Sequence, residues 1–336
     1  MRIVVCCLAV AAAIAAIACP PLPAYARTYP LAPGQTAIGD IGEHVTRYED
    51  TLHDVARDND LGFTQLVTAN RGIDPWLPGA GKKIVLPQFY LLPDSPRRGL
   101  VINLAQHRAY YFPPGGGTVE TYPIGVGVQG WVTPRGTTRI VQKFVHPGWA
   151  PPASIRREKP ELPAYVPPGP DNPMGDYAMA LGWRSYYIHG TNKPYGVGRN
   201  VSHGCIRFYP EDIERLFHEV SVGTPVHVTD EEVSAAWVQN RLYVAVFPNK
   251  EQTDQIDIQE PMTPMLPARL METVRAAAGS EAERVDWELV RRLGMERKGI
   301  PTPVTGAGIA TADEDRDGVA EDMSAVDRVI RRSQGR

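Results

Sequence analysis

The stretch GLVINLAQHRAYYF, residues 99–112, decides the architecture. Leu100 to Leu104 reads as a strand, Gln106-His107-Arg108 as a polar turn and Ala109 to Phe112 as the returning strand of a β-hairpin. Downstream, the same turn-rich, period-two pattern predicts strands at Thr121 to Val128, Thr138 to Val145, Tyr186 to His189 and Pro225 to Val228, hence a mainly β domain over residues 95–230. A helix is expected after Pro210, with Glu211 and Asp212 in its first turn and Ile213, Leu216, Phe217 and Val220 on one face. Nine prolines between Pro147 and Pro173, interspersed with Trp149, Ile155, Leu162, Tyr165 and Val166, are too many for regular structure and too apolar for a solvated linker. That segment reads as an ordered excursion over the sheet, a lid or substrate wall.

The whole chain of 336 residues is 43% hydrophobic and 22% charged, enough for one large or several modest domains. Lys+Arg 35 against Asp+Glu 38 leaves a formal net charge of -3, so no global positive field exists to hold nucleic acid. The 32 prolines and 31 glycines, without a Gly-X-Y period, favour long ordered loops and a β architecture over a fibre.

Upstream, Arg2 precedes an apolar run from Ile3 to Ala18 and the small residues Ala24 and Ala26. This pattern predicts a secretory signal peptide over residues 1–26, cleaved after Ala26, because the run is shorter than the ~20 residues a membrane span requires. Lipoprotein processing at Cys19 is the alternative, but the Leu usual three residues earlier is absent. Cleavage removes Cys6, Cys7 and Cys19 and leaves Cys205 alone, so no internal disulfide can form. No transmembrane segment is expected after cleavage.

Residues 27–43 read as an extended lead-in with turns at Pro33-Gly34 and Gly39-Asp40. From 44 to 88, Leu52, Val55 and Ala56 mark one face of a short helix capped by Asp50 or Thr51, and Ile84 to Leu86 a closing strand. The spacing of Asp50-Thr51-Leu52, Asn70 and Ile84-Val85-Leu86-Pro87 resembles a LysM module, a small α+β unit that binds N-acetylglucosamine-containing glycans; Glu49 stands where a Gly is usual. A packing domain without sugar affinity is the alternative. Residues 231–299 form a partly helical extension, with a strand at Arg241 to Phe247 and helices over Leu266 to Ala278 and Glu281 to Lys298. The last helix is expected to start at a Ser280/Glu283 capping box and to end at Gly299. Residues 300–336 read as a disordered acidic tail. Within it Asp313, Asp315, Asp317 and Gly318 imitate a calcium loop whose twelfth position is Ser324, without the required carboxylate.

Chemistry concentrates in Ile188-His189-Gly190-Thr191-Asn192 and Ser202-His203-Gly204-Cys205-Ile206-Arg207. A sulfur nucleophile needs a thiolate, and His189, His203 and Arg207 are the nearby groups able to favour one. Gly204 permits close approach of backbone amides to an oxyanion. Three readings stay open on these residues: a Cys–His nucleophilic pair, a zinc site of two His and one Cys, and a buried structural Cys.

The pair HGTN and SHGCIR resembles the active-site signature of the L,D-transpeptidases of the YkuD/ErfK type. GLVINLAQHRAYYF, YPIGVG, TPRGTTRI and DNPMG fit the same pattern across about residues 95–230. The LysM-like unit and C-terminal extension resemble the periplasmic Gram-negative members. The resemblance implies a β-sandwich catalytic domain, no cofactor and no metal. It makes Cys205 the nucleophile and His189 the general base and acid, with Gly190 orienting His189 through its carbonyl. Ser202, His203 and Gly204 complete the motif, and Arg207 would hold a substrate carboxylate. Phe208 stands where some relatives carry Asn or Leu. The implied substrates are peptidoglycan stem peptides on glycan strands; the acyl acceptor is another stem's amine, an outer-membrane lipoprotein lysine or water. Two other classes compete: a non-catalytic wall-binding scaffold and a zinc-dependent wall hydrolase.

Overall fold

The computed structural model describes residues 27–128 and 130–306. The signal-peptide segment and the calcium-like Asp313–Gly318 stretch lie outside them. Nine strands form one sheet in the spatial order Arg27–Pro30, Thr118–Pro123, Arg108–Phe112, Gly99–Asn103, Pro225–Thr229, Gly136–Val145, Tyr177–Leu181, Tyr187–His189 and Ile206–Arg207. The 99–112 hairpin forms, pairing Gly99 with Phe112 and Asn103 with Arg108, but its turn is residues 104–107: Arg108, expected in the polar turn, is buried and opens the second strand because it pairs with Asn103. The strand Gly99–Asn103 is buried throughout because the two faces of the hairpin meet different cores. Leu100 and Ile102 join Ile140, Met179, Ile188 and Ile206, while Val101, Tyr110 and Phe112 pack with Ile38, Tyr90 and Leu92. The sandwich expected from the sequence is thus a single sheet curled around the first core. Helix Pro210–Glu219 closes that core with Ile213, Leu216 and Phe217, its acidic first turn as expected.

The lead-in is structural rather than a mere tether. Arg27–Pro30 adds an antiparallel edge strand to the nine-stranded sheet, and Ala37–Ile38 pairs with Tyr90–Leu91. Ile41–Val45 already belongs to the next unit, in which it pairs antiparallel with Lys83–Pro87 around helices Leu52–Asp58 and Phe63–Ala69. Thr51, not Asp50, caps the first helix; Asp50 instead accepts hydrogen bonds from the Arg47 amide and His44. The extension contains an antiparallel sheet of Val233–Val238, Arg241–Val246 and Thr302–Pro303, covered by helices Leu270–Ala278 and Trp287–Glu296. Residues 300–306 therefore belong to this ordered unit and not to a tail. The last helix is capped by Asp286, whose side chain accepts from the Leu289 amide; Ser280 and Glu283 lie in a preceding 3-10 turn.

Arg108 fastens the β-α-α-β unit to the sheet. Its buried guanidinium donates to Thr121 Oγ1 at 2.8 Å and to the Asp60 carbonyl at 2.7 Å, and stacks 4.3 Å from the Tyr90 ring centroid. The Asp60 carboxylate is fully buried 3.7 Å away, and that burial pushes its pKa up to about 7 against the pull of Arg108. Removing the cation takes away the largest of the charges that offset the burial of this carboxylate. Arg108→Met is expected to destabilise the fold by about 3–5 kcal/mol, read as a lower denaturant midpoint; a loss below ~1 kcal/mol would show that the pair is not structural.

Candidate active site

Strand Tyr187–His189 runs parallel to Ile206–Arg207, with Ile188 opposite Ile206 and His189 opposite Arg207. This register sets Tyr187 beside Cys205, the residue entering the second strand, and His189 two residues further along, on the same face of the sheet as Cys205 and Arg207. The sequence-predicted pair is therefore assembled by sheet pairing across fifteen intervening residues. Cys205, His189 and Arg207 all line one cavity.

His189 is 3% exposed and its Nδ1 lies 2.6 Å from the Gly190 carbonyl oxygen. A carbonyl only accepts, so Nδ1 carries the proton and Nε2 is left as the basic nitrogen. Burial and the positive charge of Arg207 push His189 down to about 3. Burial raises the Cys205 thiol above its ordinary value, opposed by a Tyr187 backbone hydrogen bond and by Arg207. Cys205 Sγ itself lies 3.9 Å from the Ser185 carbonyl. At neutral pH the resting pair is a thiol beside a neutral imidazole. Such a pair forms a nucleophile only as the proton moves.

The turn before Cys205 is fixed by small polar groups. Ser202 Oγ donates to the Cys205 carbonyl and accepts from the Gly204 amide at 3.2 Å. Thr133 Oγ1 donates to the Gly204 carbonyl at 2.9 Å. Gly204 has φ +98°, and a Cβ there would stand 2.8 Å from Tyr186 Cε1, so glycine is required twice over. The Gly204 amide itself is engaged by Ser202. His203 lines both cavities with Cys205, but its Nε2 is engaged elsewhere: it meets Glu158 Oε2 at 3.0 Å and its ring packs edge-on against Trp131. Glu158 ends the short helix Ala153–Glu158 of the proline-rich excursion, so His203 latches that excursion over the site. His189, His203 and Cys205 do not form a metal-binding set; among the described residues no group of three His, Cys, Asp or Glu is placed to hold a metal ion.

The excursion is ordered, as its composition implied. Asn172, 1% exposed, donates to the carbonyls of Pro147, Val166 and Pro167 and accepts from the Met174 amide, closing the base of the loop. Beneath it two cavities meet at Cys205. One, of about 540 Å³, contains Lys159, Lys193, Arg199 and Arg207 against a single carboxylate, Asp171. The other, of about 630 Å³, is walled by Trp131, Phe144, Trp149, Tyr186 and Tyr187, with Arg184 at its edge. Sequence reading missed Glu158, Thr133 and Arg199, whose roles arise only from long-range placement. Arg207 Nε is buried and finds no hydrogen-bond partner among the described residues.

The mainly β domain thus sets a cysteine and a buried histidine on one cavity beneath a proline-rich cover. The profile of the L,D-transpeptidase catalytic domain matches residues 97–228. The chain is 39% identical over 284 residues to "Probable L,D-transpeptidase YcfS" of Escherichia coli strain K12, covering 82% of this chain and 88% of that protein. It is 43% identical over 217 residues to "Probable L,D-transpeptidase ErfK/SrfK" of the same strain, covering 61% of this chain and 69% of that protein. With "Probable L,D-transpeptidase YbiS", again of that strain, identity is 39% over 285 residues, covering 81% and 92%. The chain belongs to the L,D-transpeptidase family. No helix among the described residues is long and apolar enough to cross a membrane.

A raised thiol and a lowered imidazole fix the pH behaviour of the free enzyme. Alkylation of Cys205 by iodoacetamide is expected to climb steadily above pH 8 with no plateau at lower pH, since the thiolate appears only as the raised thiol titrates. A reactive plateau reaching down to pH 6 would instead reveal a preformed thiolate–imidazolium pair.

Proposed function

We propose that this transpeptidase acts on peptidoglycan stem peptides in the periplasm, with Cys205 as nucleophile and His189 as general base and acid. Supporting this reading above all is the position of Cys205, at the junction of two cavities, one of which it shares with a buried histidine whose Nε2 is unprotonated. Cys205 Sγ attacks the carbonyl carbon of the third stem residue, a meso-diaminopimelate in this reading, while His189 Nε2 takes the thiol proton. The tetrahedral intermediate collapses as the bond to the terminal D-alanine breaks, and His189 returns the proton to the departing amine. A thioester remains. An acceptor amine then attacks its carbonyl, gives its proton to His189, and the sulfur leaves and is reprotonated.

Charge distinguishes the two cavities. The cationic one suits a donor stem rich in carboxylates, with the Arg207 fork meeting one of them. The aromatic one suits an incoming amine, because ring faces attract cationic groups and its walls limit water. A second stem's side-chain amine gives a 3-3 cross-link, a lipoprotein lysine gives wall anchoring, and water gives carboxypeptidase activity. The unit spanning residues 41–87 supports glycan binding by its resemblance and by its β-α-α-β topology. The N-terminal apolar segment supports export. Family membership lends no support to a non-catalytic scaffold or a zinc hydrolase.

Incubation with a carbapenem followed by intact-mass spectrometry is expected to give a one-to-one adduct on Cys205. Cys205→Ala is expected to abolish both the adduct and D-alanine release from tetrapeptide stems. His189→Ala is expected to slow acylation by about 10²–10⁴-fold, and Arg207→Ala to raise the donor KM about tenfold or more, as loss of a charge-assisted bond does. Normal acylation of a folded Cys205→Ala protein would refute the nucleophile.

A further inference from the structure

The fifteen residues between His189 and Cys205 carry the catalytic cysteine but little regular structure of their own: a 3-10 turn at Pro194–Gly196 and the short strand Asn200–Ser202. That strand pairs parallel with Val126–Gly127 and ends three residues before the nucleophile. Its rear is gripped by helix Lys250–Asp257, which belongs to the C-terminal extension. Asn200 is 8% exposed, and its carboxamide is used on both sides. Oδ1 accepts from His107 Nε2 at 3.1 Å, which requires that nitrogen to carry the proton; Nδ2 donates to the Lys250 carbonyl at 3.1 Å and to Asp254 Oδ1 at 2.7 Å. Lys250 Nζ donates to the Gly127 carbonyl, holding the strand that Asn200–Ser202 pairs with. Arg199 meets Asp257 Oδ1 at 3.0 Å while its guanidinium lies 3.8 Å from the Phe63 ring centroid.

Lys250, Asp254 and Asp257 are spaced i, i+4 and i+7, so one face of a two-turn helix makes all of these contacts. The helix is anchored independently by a complete capping box between Asn249 and Gln252 and by the bond from Gln252 Nε2 to the Thr263 carbonyl. None of the residues lining the two cavities at Cys205 lies beyond Arg207. The extension therefore reaches the chemistry only through the loop it holds.

We propose that helix Lys250–Asp257, acting through Asn200, is a positioning clamp that sets the backbone leading to Cys205, making the C-terminal extension part of the acyl-transfer machinery. This rests on Cys205 being the nucleophile. Asn200 and Asp254 are positioning residues, since neither touches the reacting atoms. Asn200→Asp preserves shape but turns the donating nitrogen into an oxygen, setting a carboxylate against Asp254 and the Lys250 carbonyl. Misplacement of a reacting group by about 1 Å costs on the order of 10²-fold in rate, so the acylation rate constant with a carbapenem is expected to fall about 10- to 100-fold. Carbapenem affinity before acylation should stay within about twofold, because Asn200 and Asp254 line neither cavity. The double variant Asn200→Asp/Asp254→Asn restores a donor opposite the new carboxylate and should recover at least half of the logarithmic loss.

Acylation is read by intact mass on the full chain, with thermal unfolding alongside. Failure of the wild-type protein to acylate would count against the nucleophile assignment. Acylation of the wild type together with an unchanged rate in Asn200→Asp would overturn the clamp, as would a loss matched by an equal loss of folded protein with no rescue in the double variant. If Asn200→Asp does not fold, Asp254→Ala takes its place, with a fall in rate at unchanged affinity expected and a wild-type rate overturning the proposal.

Discussion

Parallel pairing of Tyr187–His189 with Ile206–Arg207 is the constraint from which the rest of the molecule follows. Parallel neighbours cannot be joined by a tight turn; they need a long crossover. Here that crossover contains no long helix, so it lacks the internal hydrogen bonds that usually make such a connection rigid. Its stiffness is supplied from outside. On one side the amides of Phe63 and Thr64, at the start of a helix in the N-terminal unit, donate to the carbonyls of Val197 and Gly198 at 3.4 and 3.2 Å. The approach is so close that a Cβ on Gly198 would stand 2.2 Å from the Phe63 amide nitrogen, and Gly198 itself has φ +80°. On the other side stands the helix of the extension. Both flanking units are thus fastened to the loop that carries the sulfur, which gives a physical reason for their occurrence in one chain with the catalytic sheet.

The electrostatics around Cys205 explain how its thiol is kept protonated and still open to ionisation. Oxidation and alkylation proceed through the thiolate, and burial holds Cys205 in its protonated form. Burial equally denies His189 a resting charge, and Arg207 reinforces that by repelling a second cation. The same Arg207 charge favours the thiolate. It therefore biases both partners toward the state in which sulfur is ionised and imidazole is neutral, without being strong enough to reach it against desolvation. In the proposed reaction a substrate carbonyl accepting the sulfur's electrons removes that cost, which couples ionisation to bond formation.

What could be read from the sequence was whatever is local. The hairpin at 99–112, the helix after Pro210 and the two motif halves each state their structure through neighbouring residues. The strands Arg27–Pro30 and Thr302–Pro303 were invisible because each is short and owes its conformation to a distant partner, Thr118–Pro123 and Arg241–Val246 respectively. The Ser280/Glu283 spacing looked like a cap, but the 3-10 turn ahead of the helix moved its start to Asp286. In the site, His189 and Cys205 were legible by chemistry, whereas the latch of His203 onto Glu158 joins residues on separate segments that no local pattern connects.

A common device holds the irregular segments. Asn70, Asn172 and Asn200 are each buried, and each uses both its oxygen and its nitrogen on groups from separate segments. Asn70 joins a helix to Lys83–Pro87, Asn172 closes the base of the proline-rich cover, and Asn200 joins the cysteine loop to the extension. An aspartate of the same shape could accept but not donate, and would carry a charge into a low-dielectric site; a leucine could do neither. Backbone that leaves the regular ladders must still satisfy its amides and carbonyls when buried, and a carboxamide supplies both a donor and an acceptor from one side chain. That requirement ties the cover, the module and the loop to their neighbours by the same chemistry, and it is why uncharged asparagines, rather than further ionic pairs, stand at the points where this enzyme's irregular backbone must not move.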